Sequence, residues 1–445
     1  MIRPPDSRTM TVNSDTDVKP SPNSLLKNLS WVVPLAALIM GLSLLAELDS
    51  HPHFVDESAY FSQAYFGDLF FTGQVNSSLW FEYPAYDLPP FTKYLVWAGL
   101  VAGGDARPGP VAMRTWYQDT SSRFESPESL HHARVPIVLC GMLALLATGR
   151  LAQRWLGPAG GVIAIVLVAS NPLFRSHSRQ AMADIPTEMA VALALLLFAP
   201  IGLDVNIKFR KAILCGIFLG LAASSKLNGF LASITLVVWC LTTLRNSRKI
   251  IASLTIAGLC GAFLFIALNP FFYASPKGLR ERQFEEIRQK NLPQRLKFMA
   301  DHRIGVSAEG QKLFPRDALT TIPQKIAVLV VQGFGRFSPL GPVKDNSEIR
   351  FQLSQDWPVV VWFPLVVLGL AKAFRNKPQT ILMSRFIAIY FVISILVVGA
   401  FLPLAWNRYM LPLVIPSSIL AAGGLVELYR LMAKKPNRPQ PGVPA

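Results

Sequence analysis

The run FTKYLVWAGLVAGG, residues 91 to 104, decides how the rest of the chain is to be read. It is apolar enough to enter a bilayer, yet a spanning helix needs about 20 residues and this run stops short of that. A second run, KIAVLVVQGFG (325 to 335), poses the same question. Each crossing flips the side of every later loop, and short loops rich in Lys and Arg stay on the cytoplasmic side. If neither run crosses, five groups of basic residues fall on the side of the N-terminus. These are Arg150 and Arg154; Lys208, Arg210 and Lys211; Arg245, Arg248 and Lys249; Lys372, Arg375 and Lys377; and Arg430, Lys434 and Lys435.

Working outward, longer apolar runs lie at about 31–47, 133–149, 158–174, 186–203, 211–225, 228–244, 250–270, 357–371, 381–403 and 409–428. With the two short runs left out, they predict ten crossings with both termini cytoplasmic. Composition agrees: 51% of the 445 residues are hydrophobic and only 16% are charged, and the mean hydropathy is +0.37. An all-α, multi-pass protein of an inner or plasma membrane follows.

The expected organisation is a disordered cytoplasmic tail over 1–24, a membrane-embedded domain over 25–429, and a second cytoplasmic tail over 430–445. Two long external loops, about 48–132 and 271–356, interrupt the domain. The first loop is acidic, which suits the outside. The second is basic around SPKGLRERQFEEIRQK, a departure that long loops tolerate. No cleavable signal peptide and no internal repeat is apparent.

The net charge of +16 sits in short clusters between apolar runs, which excludes a nucleic-acid partner and leaves membrane lipids as the surroundings. Cys140, Cys215, Cys240 and Cys260 lie inside apolar runs without metal or redox spacing, and read as small core residues. The six histidines read as exposed loop residues.

On the expected external face, ionisable residues collect at helix ends: Asp56 and Glu57, Lys93, Arg134, Arg179 with Asp184, Lys226 with Asn228, and Arg408 with Tyr409. Charge near hydrocarbon is costly, roughly 2.5–3.5 kcal/mol on insertion scales, so such a collection points to work on an anionic group and a proton. Plainer roles stay open. Asp56 and Asp184 could be helix N-caps. Lys226 and Arg134 could snorkel, and Arg408 and Tyr409 could anchor at the interface. Phe54, Tyr60, Phe61, Tyr65 and Phe66 are spaced as on an amphipathic helix resting among headgroups.

VDESAYFSQA (55–64), LPPFTKYLVW (88–97), ARVPIVLCGMLALL (133–146), SRQAMADIPTEMAVALAL (178–195), GLAASSKLNG (220–229) and WNRYMLPLVIP (406–416) stand in that order along the chain. Together they resemble the polyprenyl-phosphate-sugar-dependent glycosyltransferases of the GT-C class, which include the protein O-mannosyltransferases and the lipid A aminoarabinose transferases.

The resemblance implies a GT-C bundle with amphipathic juxtamembrane helices in the first external loop. It implies Asp56 as catalytic base with Glu57 as helper, and Asp184 as the second external aspartate of the family. Arg179 and Lys226 match positions near the donor phosphate. The turn before Lys93 resembles a family motif in which His often stands where this chain has Leu88.

The residue types suit the chemistry independently. Sugar transfer from a lipid phosphate to a hydroxyl needs a carboxylate near the acceptor proton and cations near the departing phosphate, for which Lys93, Arg179, Lys226 and Arg408 qualify. Neighbouring helical residues point about 100° apart, so Asp56 and Glu57 cannot serve one atom, and Tyr60 shares the face of Asp56. No cofactor is required, though Asp56 and Asp184 would suit magnesium or manganese. The implied partners are a polyprenyl-phosphate sugar and an acceptor that is protein, lipid or glycan. The alternative is a transporter or flippase of an anionic lipid-linked substrate.

Overall fold

The computed structural model describes residues 29–46, 48–200, 208–243, 248–276, 282–334, 353–375 and 378–433. The expected tail over 1–24, nearly all of that over 430–445, and residues 335–352 of the second loop lie outside them.

Helix α1 (Val32–Leu45) is followed by a string of short helices: α2 (Val55–Ser62), α3 (Tyr65–Phe71), α4 (Tyr83–Asp87), α5 (Phe91–Gly103) and α6 (Pro110–Gln118). Next come α7 (Pro127–Ala169), α8 (Pro172–His177), α9 (Asp184–Phe198), α10 (Phe209–Ser225), α11 (Leu231–Thr243) and α12 (Arg248–Ala267). A second polar stretch carries α13 (Arg282–Gln289), α14 (Leu292–Leu313) and α15 (Ile322–Phe334). The chain closes with α16 (Leu353–Arg375), α17 (Pro378–Phe401) and α18 (Leu411–Ala433).

The described residues of each expected apolar run are mainly helical, and the protein is a multi-pass integral membrane protein. Among the described residues, five helical stretches are long and apolar enough to span: Pro127–Ala169, Arg248–Ala267, Pro358–Arg375, Thr380–Phe401 and Asn407–Ala433. The runs expected at 133–149 and 158–174 are two helices joined at Gly157, whose φ of +79° only glycine adopts cheaply, with Pro158 next, and they fold back on each other, since a methyl group on Gly161 would lie 2.8 Å from Gly149 O. Leu139, Leu143, Leu259, Phe263, Leu396 and Phe401 lie exposed on helix flanks, as lipid-facing residues would. The bundle interior uses small residues for close contact. A methyl group on Gly424 would collide with Leu365 O, and one on Gly369 with Leu420 O, so α16 and α18 touch backbone to backbone.

The two loop stretches pack on each other as a lobe at one end of the bundle. Tyr65, Phe66, Trp80, Phe81, Tyr94 and Met113 from the first share a core with Phe271, Phe272, Ile287 and Met299 from the second. Arg295, 5% exposed, ties the second stretch together by donating to the carbonyls of Phe271, Ala274 and Lys290.

This core corrects one expectation. Tyr60, Phe61, Tyr65 and Phe66 are at most 5% exposed and Phe54 is half-buried. The aromatic face of residues 54–66 is covered by protein and not by headgroups, because α5, α6 and the second stretch fold over it.

Candidate active site

Helix α2 starts where Phe54 turns from extended backbone, and Glu57, its third residue, accepts the Phe54 N–H at 2.9 Å in the manner of an N-terminal cap. The same carboxylate receives Arg134 of α7 through two bonds, Nε to Oε1 at 2.8 Å and Nη2 to Oε2 at 2.7 Å. It also accepts the Ala181 N–H at 2.8 Å. Arg134 adds bonds to the carbonyls of Leu48, His51 and Pro52. Both side chains are sealed, at 0% and 3% exposure. Glu57 therefore holds three chain segments together, and Arg134 is a buried structural partner and no snorkelling cation. A forked guanidinium on a carboxylate is the strongest form such a link takes.

Asp56 points elsewhere, as the helical turn requires. Its partner is Arg408 Nη1, and its side chain keeps 32% of its surface open. Arg408 is aimed by the stretch before it. Residues 317–319 and 403–405 pair as an antiparallel bridge, through Leu319 N to Pro403 O at 2.9 Å and Ala405 N to Asp317 O at 2.8 Å. Trp406 Nε1 donates to Asp317 at 3.0 Å, and Gln332 Nε2 donates to Ala405 O at 2.8 Å. The guanidinium then lies over the rings of Trp406, at 4.6 Å, and Tyr409, at 5.8 Å, a cation–π seat that leaves its edge for anions.

Asp184 opens α9, and Lys226 reaches it because the backbone leaves α10 there in an extended conformation. Lys226 Nζ lies 2.7 Å from Asp184 Oδ1, and Asp184 is not an N-cap, since Ala183 precedes it at that position. His177 Nδ1 sits 3.8 Å from the other oxygen. Burial pulls the His177 pKa down to about 4, with the charges of Asp184, Lys226, Arg408 and Asp56 also acting on it, so the ring is neutral at pH 7. Those same charges place both ion pairs in one electrostatic neighbourhood. Asn228 is exposed on the turn after Lys226. Tyr60, one turn beyond Asp56, is buried, and burial together with Asp184 and Asp56 raises its hydroxyl pKa far above the usual range.

Two expected donor-phosphate ligands are placed otherwise. Lys93 is 1% exposed inside the loop lobe, donates to Pro84 O at 2.5 Å and lies over the Phe66 ring. Arg179 donates to the carbonyls of Leu44 and Ser43, the end of α1, where a cation complements the helix dipole. Neither contact needs a donor.

The histidines are also corrected. His177 is buried, the other rings are partly covered, with the His131 side chain still 39% exposed, and His53, His131, His132 and His302 each meet a carboxylate. Cys140, Cys215 and Cys240 are buried free thiols, and Cys260 is half-buried.

As for a metal, Asp56 and Asp184 each already face a cation, and the described residues contain no group of three or more His, Cys, Asp or Glu that could hold an ion. The donor set does not fit magnesium or manganese.

Sequence reasoning overlooked four members of this neighbourhood. Gln180 is fully buried with neither end of its amide bonded, and His177 Nδ1, Ser224 Oγ and Asn407 Nδ2 are buried without a hydrogen bond. Unmet buried polar groups are rare in folded proteins and mark places where something else binds. Their signal was position alone: each lies within a few residues of an ionisable group already singled out.

A family described as dolichyl-phosphate-mannose-protein mannosyltransferase matches residues 113–273, which include Arg134, Asp184, Lys226 and Asn228. No curated protein matches the chain in sequence. Among solved structures, ArnT from Cupriavidus metallidurans bound to undecaprenyl phosphate superposes with a TM-score of 0.55 at 14% identity, over 91% of this chain and 61% of that one.

The chain has the GT-C fold.

The archaeal oligosaccharyltransferase AglB from Archaeoglobus fulgidus, in complex with an inhibitory peptide and a dolichol-phosphate, gives a TM-score of 0.50 at 15% identity, over 92% of this chain and 53% of that one. The chain thus spans less than two thirds of the length of either protein.

Proposed function

We propose that this GT-C chain is a membrane glycosyltransferase that moves a sugar from a polyprenyl-phosphate donor to an acceptor hydroxyl on the extracytoplasmic face. The observation that carries the reading is the Asp56–Arg408 pair: a carboxylate still one third open, bound to a cation beside the second pair, Asp184–Lys226. Such a pair stores both functions the reaction needs. When the donor phosphate takes the guanidinium of Arg408, the carboxylate of Asp56 is released beside the acceptor.

In the proposed step the acceptor hydroxyl oxygen forms the bond to the anomeric carbon as its proton passes to Asp56. The bond from that carbon to the phosphate oxygen breaks, and its electron pair leaves on the lipid phosphate. Arg408 and Lys226 stabilise that growing anion, as fixed charges at a water-poor site do well. Asp184 holds Lys226 in place, and Glu57 acts only by anchoring α2. A single open carboxylate fits a single displacement with inversion, since Asp184 is held by Lys226. No step is routed through a metal.

One observation favours the transporter alternative. Glu188, one turn inside α9, is 2% exposed with Oε2 unbonded, a buried acid away from the helix end. One experiment separates the two readings. Purified protein in lipid is given polyprenyl-phosphate sugars and candidate acceptors, and free polyprenyl phosphate is measured. Release that depends on acceptor and vanishes in Asp56→Asn supports the transferase. Donor crossing vesicles intact supports the transporter.

A further inference from the structure

A cleft of about 830 Å³ opens in the loop lobe, lined by Glu82, Tyr83, Tyr86, Arg114, Tyr117 and Gln118 and floored by α13. It is of the size that holds a small-molecule ligand. Its wall is tied to α2 through a buried side chain. Gln63, the buried residue that ends α2, donates its Nε2 to Tyr117 OH at 3.3 Å, which fixes this wall to the helix that carries Asp56.

The lining fixes the chemistry of the occupant. Glu82 and Arg114 neutralise each other at 2.6 Å, so the cleft favours neither an anion nor a cation. Tyr83 is 39% exposed and is braced edge-on by Tyr86 and Tyr117, with ring centroids at 5.9 and 4.9 Å. Tyr117 is fixed in turn by Asp87, which Arg303 holds at 2.6 Å. Rigid aromatic faces beside a carboxylate, a guanidinium and an amide suit a ring that has C–H faces and hydroxyl edges. A peptide would gain most from a strand to pair with, and the described residues of the lobe offer none beyond the bridge of residues 317–319.

We propose that this cleft binds the carbohydrate part of a neutral glycan acceptor. The assignment of the occupant as acceptor rests on the reading of Asp56 as base; the binding of carbohydrate does not. The test uses the full chain in detergent and saturation-transfer NMR with mannotriose, maltotriose and chitotriose, and a serine-containing hexapeptide as the other arm. The expected result is saturable binding of at least one trisaccharide, weakened roughly tenfold by Tyr83→Ala, the loss of one stacked ring. Tyr83→Phe, which keeps the ring, and Asp56→Asn should both retain binding. Retention in Asp56→Asn without turnover separates the cleft from the chemistry. Binding of no trisaccharide, equal binding by Tyr83→Ala, or saturation by the peptide alone overturns the proposal.

Discussion

Arg134 Nη2 lies 2.7 Å from Glu57 Oε2 in a fully buried pair, while Asp56, the preceding residue, turns to Arg408 and keeps 32% of its side chain open. Two adjacent carboxylates are thus assigned opposite tasks by the 100° step of one helix. Breaking a buried pair leaves an uncompensated charge and costs about 3–5 kcal/mol. Glu57→Gln and Arg134→Ala should lower the thermal midpoint and the yield of folded protein. Asp56→Asn should leave both nearly unchanged and reduce turnover by about a hundredfold to ten-thousandfold, the usual contribution of a general base. Thermal unfolding beside turnover checks the contrast, and an unfolded Asp56→Asn protein would contradict it.

Arg408 is expected to govern donor use. Arg408→Ala should weaken apparent affinity for the lipid phosphate roughly tenfold to a hundredfold, the scale of one charge-assisted contact. Arg408→Lys should recover only part of it, because an ammonium cannot both stack on Trp406 and present a planar edge. Titration of donor at fixed acceptor reads this directly. Equal donor affinity in Arg408→Ala would remove the guanidinium from the phosphate site.

Lys93 should impose a pH dependence on stability. Burial pulls its pKa from 10.5 down to about 7, with Asp87 opposing. Between those values the unfolded chain binds a proton that the folded chain does not, so stability rises with pH across that window. The penalty is full below pH 7 and gone above the unfolded value. Lys93→Met should therefore raise the thermal midpoint at pH 7 and flatten its increase toward pH 10. A wild-type midpoint that does not rise relative to the variant would show that the ammonium stays charged.

Topology is open to direct measurement. Reporters fused after residues 105 and 180 should mark the same, extracytoplasmic side, and one fused after 246 the opposite side. A split between 105 and 180 would mean that α5 crosses the membrane.

Much of the fold was legible because hydrocarbon imposes a simple rule on composition. The apolar runs at 133–149 and 158–174 announced two helices, which the structure joins at Gly157. Asp56, Asp184, Lys226 and Arg408 were legible in the same way, as charges at the ends of apolar runs. Lys93 and Arg179 show where that reasoning stops. They carry the same charge at similar positions, yet one lies on Pro84 O and the other on the end of α1. A sequence displays a cation but not the backbone carbonyl that will receive it. The aromatics of residues 54–66 show the same limit: periodicity reveals an apolar face without revealing whether lipid or protein covers it. Here the cover comes from α5 and α6 and, for Tyr65 and Phe66, also from residues more than two hundred positions later.

The contact between Asp56 and Arg408 joins positions 352 residues apart, the first loop to the threshold of the last helix. A ribosome has therefore made at least the first 408 residues before this pair can close. A nascent chain that stalls before residue 408 can insert every earlier helix and still lack half of the pair, so the proposed chemistry at Asp56 would begin only after that residue has been made.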